Sequence, residues 1–441
     1  MNSNISTEDR RRKYLFCVTE FVFGLVAGSL VFNNAFMRVN GMTATQIGLV
    51  MTISSVLGML APPFWGAMAD RLKSKFRVYM LTLALSACVA IFVPFTTGIQ
   101  IAGIMLAGLL IPIVNFFRNP SYSVLDTISV SASEQVPGMD YSNVRVWQSI
   151  GFTTASYSYT PLMNMLIGAG WSYANSLPFF LFVAFAIICL CISGHLRQYE
   201  PKMEGKRKST PLSQLQPGRI FKNYYLVAFI IINIIIHIPV NATQFLTFMF
   251  EEVGASNNMV GIATGARTTA EILMLFGAAR IKKKLTLPGM IGLSTLLYVV
   301  EMSLYPMASA AWMLVAFDII GGFGFGLALA AAINYIYLLA PKGLEATTVA
   351  LYSAGNAVAG IVTNMVGGRL IDTLGARTFF TIAAVACAVS LGIYVLHFVF
   401  GEKVLKKTPP QTLFMRNNRS EQISVEQEPD LPPDESDVLN E

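Results

Sequence analysis

The sequence predicts an all-α membrane protein in which twelve transmembrane helices form two pseudo-symmetric six-helix bundles. Three observations lead to this fold class: long apolar runs recur along the chain, a basic linker divides them six and six, and a sequence repeat relates the two sets. The composition agrees, since 54% of the residues are hydrophobic and only 13% are charged. An ordinary soluble domain has about 25% charged residues.

The apolar runs have the length of transmembrane helices. A helix needs roughly 20 mainly apolar residues to cross the hydrocarbon core, and such runs follow one another from Tyr14 to Phe400. They are continuous, whereas the strands of a membrane β-barrel alternate in hydrophobicity over about ten residues. We therefore expect spans at residues 14–36, 45–68, 78–96, 101–130, 143–167, 175–196, 223–250, 257–280, 286–306, 311–340, 346–368 and 377–400.

A basic loop separates the sixth run from the seventh. Residues 197–222 form the longest internal loop and carry seven Lys and Arg residues. They are predicted to be a cytoplasmic linker between an N-terminal bundle, residues 1–196, and a C-terminal bundle, residues 223–400.

The two bundles share a repeat. Gly41 and Gly48, at the start of the second run, recur as Gly254 and Gly261 at the start of the eighth, each 213 residues later. Parallel repeats are typical of transporters whose substrate site lies between the repeats, near the membrane midplane.

The chain changes character after the last run. Residues 401–441 are predicted to be a disordered, acidic cytoplasmic tail, because eight carboxylates lie between Glu421 and Glu441 and Pro, Ser and Asn are frequent. Two interpretations stay open: the tail binds a partner or regulates the protein, or it is a solvated segment without an essential role.

Lys and Arg residues are distributed unevenly between the two sides of the predicted membrane. One side holds 25 of the 31, in the N-terminus, residues 70–77, 197–222 and 280–284, Lys342 and the tail, and the other side holds Arg38, Arg369 and Arg377. The positive-inside rule therefore places both termini in the cytoplasm. We expect a multi-pass protein of the cell membrane, in a bacterium the cytoplasmic membrane.

The loop after the second run resembles a motif of the major facilitator superfamily. Gly66, Asp70 and Arg71 follow its Gly-x-x-x-Asp-Arg pattern. In that superfamily the Asp and its basic neighbours hold the cytoplasmic helix ends together when the carrier faces outward. The usual glycine after the pair is missing, since Leu72 and Lys73 stand there, so the turn is expected to differ. The alternative is a plain positive-inside loop.

Within the superfamily, the chain is similar to the branch that contains lactose permease and the proton-coupled nucleoside and oligosaccharide symporters. The segments that carry the resemblance are Arg145-Val-Trp-Gln-Ser-Ile-Gly-Phe152, Asn119-Pro120 with Asp126 behind it, and Ala270-Glu271-Ile272. The resemblance implies that Asp126 and Arg145 bind sugar, and that Glu271 contacts sugar and takes part in proton coupling. It also puts Phe152 in the place of a sugar-stacking Trp.

The charges within the runs indicate a wet cavity by themselves, because a charge at mid-bilayer costs several kcal/mol unless it meets water or a partner. Asp126 and Arg145 lie near the facing ends of consecutive runs and are expected to form an ion pair that binds substrate; alternatively the pair only locks two helices. Arg118 lies about two turns before Asp126 and is a further candidate. If the fourth span starts earlier, Arg118 is interfacial. The neighbouring Trp147 is another cavity candidate.

A second charged group lies on the eighth run. Arg267 and Glu271 are i,i+4 neighbours, so Arg267 is expected to hold Glu271 ionised. Alternatively the two neutralise each other and bind no ligand.

Further groups are candidates for proton coupling. By register, Glu301 falls where lactose permease has an essential Arg, and Gly321 falls near its essential His, so the lactose-type relay is not expected. A carboxyl group in an apolar site favours its protonated form, which makes Glu301 and Asp318 candidates beside Glu271 and Arg267. His237 can titrate near neutral pH, although a packed, hydrogen-bonded histidine is the simpler interpretation. Glu20 is expected to snorkel to the cytoplasm.

The glycine-rich segment of the tenth run does not indicate nucleotide binding, because no strand precedes it. Gly322 and Gly326 have the small-xxx-small spacing that lets membrane helices approach closely, as have Gly24 and Gly28.

These patterns predict a secondary active transporter that takes up a sugar, a nucleoside or a small organic acid with protons. A proton-driven exporter of the same fold and a transporter-like membrane sensor are the alternatives. No enzymatic activity, metal, cofactor or nucleic-acid partner is expected, because the chain lacks Walker and Ser-His-Asp patterns and its five cysteines lack metal-ligand spacing. The expected partners are a small-molecule substrate and the lipid bilayer, and the resemblance implies a monomer.

Overall fold

Twelve long helices follow one another in the computed structural model, which describes residues 6–201, 218–341 and 343–413. They are α1 Thr7–Val39, α2 Ala44–Leu72, α3 Lys75–Phe95, α4 Leu106–Gln135, α5 Tyr141–Gly168, α6 Ala174–Tyr199, α7 Tyr224–Glu252, α8 Asn257–Ile281, α9 Leu287–Met307, α10 Ala311–Leu339, α11 Glu345–Leu374 and α12 Ala376–Lys403. The predicted fold of two six-helix bundles is confirmed. Parts of three predictions lie outside the described residues, namely residues 1–5 of the N-terminal bundle, 202–217 of the linker and 414–441 of the tail, as does Lys342.

Two helices begin farthest from their predicted starts, for local reasons. α1 begins at Thr7 rather than at residue 14, because the Ser6 hydroxyl accepts a hydrogen bond from the Asp9 amide at 3.0 Å and caps the helix. α4 begins at Leu106 rather than at residue 101, because strands β1 Gln100–Ile101 and β2 Ile104–Met105 form a hairpin before it. A short helix, Gly218–Lys222, precedes α7.

Ten of the described helices are long and apolar enough to cross a membrane, and α4 and α5 fall below that level. These two carry Arg118, Asp126 and Arg145, together with many Ser, Thr and Asn residues. Their lower hydropathy is what a helix needs if one side faces water within the bundle. Elsewhere large apolar side chains cover the outer surface, among them Leu273, Phe276 and Leu396 at 59%, 69% and 64% exposure. Such a surface suits lipid rather than water.

The repeat at 213 residues is visible in the backbone. Gly41 and Gly254 both have positive φ, 90° and 71°, so each ends its helix in a turn that glycine adopts without strain. The 3₁₀ turn Leu30–Phe32 interrupts α1, and the 3₁₀ turn Asn241–Phe245 interrupts α7 at the corresponding place. The two bundles therefore share their helix order and also their local irregularities.

Glycines allow the close helix contacts that the sequence predicted. A Cβ on Gly24 of α1 would lie 2.2 Å from the Gln148 carbonyl oxygen of α5. A Cβ on Gly322 of α10 would lie 2.2 Å from the Arg267 carbonyl oxygen of α8. In each bundle, a glycine thus lets its helix approach the backbone of a helix that carries charged residues, α5 in the N-terminal bundle and α8 in the C-terminal bundle.

Candidate functional site

Among the described residues, hydrogen bonds and ion pairs join the two bundles from their middle to one end. We call the end at which α1 begins and α12 ends the terminus face and the other end the opposite face. The hydrogen bonds and ion pairs between described residues of the two bundles are Asn34 to Gln244, Arg38 to Glu251, Ala44 and Thr45 to Asp372, Ser55 to Asn364, Tyr157 to Thr269, Thr160 to Asn258 and Asn175 to Asn258. The deepest of them, at Ser55 and Tyr157, lie near the middles of α2 and α5. Toward the terminus face the described parts of the bundles share no such bond.

The opposite face is closed by contacts that follow the pseudo-symmetry. Arg38 donates from Nε and Nη2 to both carboxylate oxygens of Glu251, 213 residues away, at 2.7 and 2.8 Å. The Asp372 carboxylate accepts from the amides of Ala44 and Thr45 at 3.0 and 2.7 Å, and so caps the start of α2 from the other bundle. A Cβ on Gly48 would lie 2.2 Å from the Asn364 carbonyl oxygen. The closure therefore depends on charge, capping and backbone contact together.

The predicted pair of Asp126 and Arg145 forms in the N-terminal bundle. Arg145 Nε lies 3.0 Å from Asp126 Oδ1, and the two side chains are 23% and 25% exposed for Arg145 and Asp126. Arg145 Nη2 also donates to the hydroxyl of Tyr122, and the guanidinium lies 4.8 Å from the Tyr122 ring centroid. Tyr122 and Asp126 are i,i+4 neighbours on α4, so one helix face holds both partners of Arg145. This half-buried charged pair lies toward the unbonded end of the bundles.

A second charged cluster is buried in the C-terminal bundle. Arg267 Nη1 on α8 donates to Glu301 Oε1 on α9 at 2.5 Å and to Asp318 Oδ1 on α10 at 2.7 Å. The Tyr305 hydroxyl lies 2.8 Å from each of the same two oxygens. A Cβ on Gly321 would lie 2.1 Å from Glu301 Oε1, so a larger residue there would displace this carboxylate from its position beside Arg267. Four polar groups thus converge where the two carboxylates are 0% and 3% exposed.

The expected pairing of Arg267 with Glu271 is wrong. The ion pairs of Arg267 go to Glu301 and Asp318, and Glu271 forms no ion pair with any described residue. Glu271 is half-buried one turn further along α8, and it interacts electrostatically with Arg145 of the other bundle as well as with Arg267. The i,i+4 spacing gave proximity along the helix, but the two side chains project toward different neighbours. Glu271 is therefore a half-buried carboxylate on α8 that is not part of the Arg267 cluster.

Comparison with known proteins identifies the family. Residues 15–382 match the model of the MFS_1 like family. The chain belongs to the MFS_1 like family. It is 24% identical to the uncharacterized transporter YwbF of Bacillus subtilis, over 82% of this chain and 86% of that protein, and 22% identical to the maltose permease of Geobacillus stearothermophilus, over 87% and 94%. The crystal structure of the nucleoside transporter NupG superimposes with a TM-score of 0.73 at 16% identity, over 88% of this chain and 98% of that chain. This MFS_1 like protein is thus a multi-pass membrane transporter of a small-molecule substrate.

The superfamily loop motif lies at the terminus face. Asp70 and Arg71 are exposed and form no ion pair within the described part of the chain, and Gly66 has open space around it. The expected change in the turn is small, because Lys73 itself adopts the left-handed conformation, with φ 50° and ψ 32°. A lysine therefore occupies a backbone position that glycine adopts more easily, at a cost of about 1 kcal/mol.

The other predicted residues occupy different surroundings. Arg118 is the thirteenth residue of α4, so the interfacial interpretation is wrong; its Nη2 donates to Asn119 at 2.9 Å, and its buried Nε has no partner among the described residues. Phe152 lies two turns after Arg145 on the same side of α5. Trp147 is 43% exposed and projects away from that side, so the structure does not bring it to the pair. His237 Nδ1 donates to the Asn233 carbonyl at 2.8 Å, in agreement with the simpler interpretation.

Sequence reasoning missed two residues at these sites and predicted the wrong surroundings for a third. Tyr122 and Tyr305 were overlooked because a tyrosine in an apolar run gives no signal of its partners. The i,i+4 spacing of Tyr122 from Asp126, and of Tyr305 from Glu301, could have indicated both. Glu20 was expected at the cytoplasmic surface, but its side chain is 0% exposed and accepts a hydrogen bond from Ser129. It lies fourteenth in α1, because the helix begins seven residues earlier than expected.

Proposed function

We propose that this protein takes up a small polar solute together with protons by alternating access, and that the structure corresponds to its inward-facing state. The observation that carries the proposal is the one-sided joining of the bundles. They are bonded from the middle to the opposite face, and the half-exposed Asp126–Arg145 pair and Glu271 lie in the part that is not bonded. A rocking motion that exchanges the bonded end would expose the same site to the other side.

The site suits a substrate with hydroxyl or carboxylate groups. The planar guanidinium of Arg145 donates in a fixed fork to paired oxygens, while Asp126 accepts from hydroxyls. Phe152 offers an apolar ring for a sugar or base, and Arg118 adds a cation whose Nε has no partner among the residues that the structure describes. A sugar, a nucleoside or a small organic acid would use these groups. The names of the relatives, a maltose permease and a nucleoside transporter, support the same classes.

The buried cluster of the C-terminal bundle supplies a proton site. One guanidinium faces two carboxylates, so full ionisation would leave a net negative charge in a dry environment. The Tyr305 hydroxyl has one proton and lies 2.8 Å from an oxygen of each carboxylate. It can donate to only one of them, so the second short contact is a hydrogen bond only if Glu301 or Asp318 brings its own proton. Arg267, Glu301 and Asp318 would therefore share one coupling proton, which Glu271 could exchange with the cavity.

The loop motif fits the same cycle. Asp70 and Arg71 are free of ion pairs with described residues in this state. We expect them, together with Gly66, to join the helix ends at the terminus face when the opposite face opens. The excess of Lys and Arg on the terminus side supports a cytoplasmic position for both termini.

Uptake into proteoliposomes tests the proposal. With a sugar, nucleoside or carboxylate identified by thermal-shift screening at two pH values, an acidic exterior should stimulate uptake. Glu271→Gln should retain exchange and lose concentrative uptake, because exchange needs no net proton release. Uptake that ignores the pH gradient would exclude proton coupling, and proton-driven extrusion would favour an exporter.

A further inference from the structure

Glu20 is a buried carboxyl group to which the proposed transport mechanism gives no role. It lies on α1 inside the N-terminal bundle, with 0% of its surface exposed. The Ser129 hydroxyl of α4 donates to its Oε1 at 2.8 Å. Its other oxygen, Oε2, is buried and has no hydrogen-bond partner among the described residues.

These contacts do not suit an ionised carboxylate. A carboxylate only accepts hydrogen bonds and has about four acceptor sites, and only one is used here. An ionised group without water or a cation at bonding distance costs several kcal/mol. No described Lys or Arg lies within ion-pair distance of Glu20, because the ion pair of Arg145 goes to Asp126. The protonated acid is therefore the form that this environment accommodates.

The titratable and charged groups near Glu20 in the described part of the chain include one cation. They are Cys17 on α1, Tyr79 on α3, Asp126 on α4, Tyr141 and Arg145 on α5, and Cys189 on α6. Tyr79 and Cys189 are hydrogen-bonded to each other and to Ser193. Only Arg145 carries a positive charge, and Asp126 already holds it.

The geometry links Glu20 to that pair. Ser129, which binds Glu20, is one helical turn after Asp126 on α4. We propose that Glu20 is a proton-binding site of the N-terminal bundle, and that its ionised form competes with Asp126 for the guanidinium of Arg145. On deprotonation the O–H bond breaks, the proton passes to water in the cavity, and the negative charge left on Glu20 draws Arg145 away from Asp126. This inference rests on the proposed transport function, because Arg145 belongs to the proposed substrate site, and the charge of Glu20 would make that site respond to pH.

Infrared difference spectroscopy of the purified full-length protein tests the site without substrate. A pH titration should show the carbonyl stretch of a protonated carboxylic acid that disappears as Glu20 ionises. Glu20→Gln should remove this band, and Glu301→Gln should leave it. Ser129→Ala, the matched control, keeps the acid but removes its hydrogen-bond donor, so the band should shift in frequency without being lost.

Two results would overturn the proposal. The first is a carboxylic-acid band in Glu20→Gln that equals the band of the unmodified protein at every pH. The second is a band in Ser129→Ala whose frequency is unchanged. If Glu20→Gln does not fold, Glu20→Asp serves instead, and an unshifted band would refute the assignment.

Uptake measurements on the same preparation in proteoliposomes separate the Glu20 proposal from the transport proposal. A Glu20 band without any uptake would leave the proton site and remove the transporter mechanism, whereas normal proton-driven uptake by Glu20→Gln would remove Glu20 from the coupling.

Discussion

Arg267 and its partners show how single residues determine the stability of the C-terminal bundle. One cation serves two buried carboxylates, Glu301 and Asp318, and a tyrosine bridges them. Removing the cation leaves the negative charge of the carboxyl pair uncompensated in a dry site, whereas removing one carboxylate leaves a neutral pair. The two changes are therefore not equivalent, although both remove one member of the same cluster.

We expect Arg267→Gln to lower the free energy of unfolding by about 3 to 5 kcal/mol, because it leaves uncompensated buried charge. Glu301→Gln should cost about 1 kcal/mol, since Arg267 and Asp318 stay paired and the amide can still accept hydrogen bonds. Thermal unfolding of the detergent-solubilised variants measures the difference. Equal losses would indicate that the carboxylates are already neutral and that Arg267 contributes little charge compensation.

Lys73 is a second residue that affects stability, through its left-handed backbone conformation. It ends α2 with φ 50° at the place where the superfamily motif has glycine. Lys73→Gly should raise the free energy of unfolding by roughly 0.5 to 1 kcal/mol, because glycine adopts positive φ without strain. The control is Lys75→Gly in the first turn of α3, which should be destabilising by up to about 1 kcal/mol. A loss of stability in both variants would contradict the turn described here.

At the scale of the element, the segment that follows α12 packs against the ends of other helices. The Tyr225 hydroxyl donates to the Lys407 carbonyl at 2.7 Å, the Leu287 amide donates to the Gln411 side chain at 3.1 Å, and the Thr286 hydroxyl donates to the Leu413 carbonyl at 3.1 Å. These contacts tie residues 407–413 across the ends of α7 and α9. The first residues of the predicted tail therefore pack against the C-terminal bundle.

Two truncations separate this segment from the acidic residues behind it. A chain that ends at Leu413 should keep its thermal stability and, under the proposed function, its uptake. A chain that ends at Thr408 loses the bonds of Gln411 and Leu413 and should be less stable by about 1 to 3 kcal/mol, since each hydrogen bond contributes about 1 kcal/mol. If the chain that ends at Leu413 loses uptake while its stability is unchanged, the missing acidic residues would be a regulatory tail or the output segment of a sensor.

At the scale of the whole molecule, closure of the opposite face depends on backbone contact. Gly48 lies where a Cβ would be 2.2 Å from the Asn364 carbonyl, and a Cβ on Gly368 would be 2.3 Å from the Ala44 carbonyl. The pseudo-symmetry repeats this between Gly261 and the Ser156 carbonyl, at 2.7 Å. Backbone atoms cannot move aside as a flexible side chain can, so these glycines control whether the bundles meet.

Gly48→Leu should prevent the opposite face from closing and shift the population toward a state that is open there. A cysteine placed at Ser55, next to Asn364, should react faster with a membrane-impermeant thiol reagent in this background, by about tenfold for each 1.4 kcal/mol of shift. Gly98→Leu is the control, because a Cβ on Gly98 meets nothing within 4 Å. An unchanged labelling rate would mean that another contact holds the face closed.

The sequence alone determined the helices, the two bundles and the Asp126–Arg145 pair, because each depends on local apolar length, on a fixed repeat offset or on adjacent helices joined by a short loop. Only the tertiary structure decided the partners of Arg267, which lie 34 and 51 residues away on two other helices. It also decided the burial of Glu20, whose depth depends on where α1 begins and on Ser129 of α4. The physical reason is that helical periodicity states which residues share a face. The charges in a dry interior are matched across faces of different helices, and no spacing along the chain records that match.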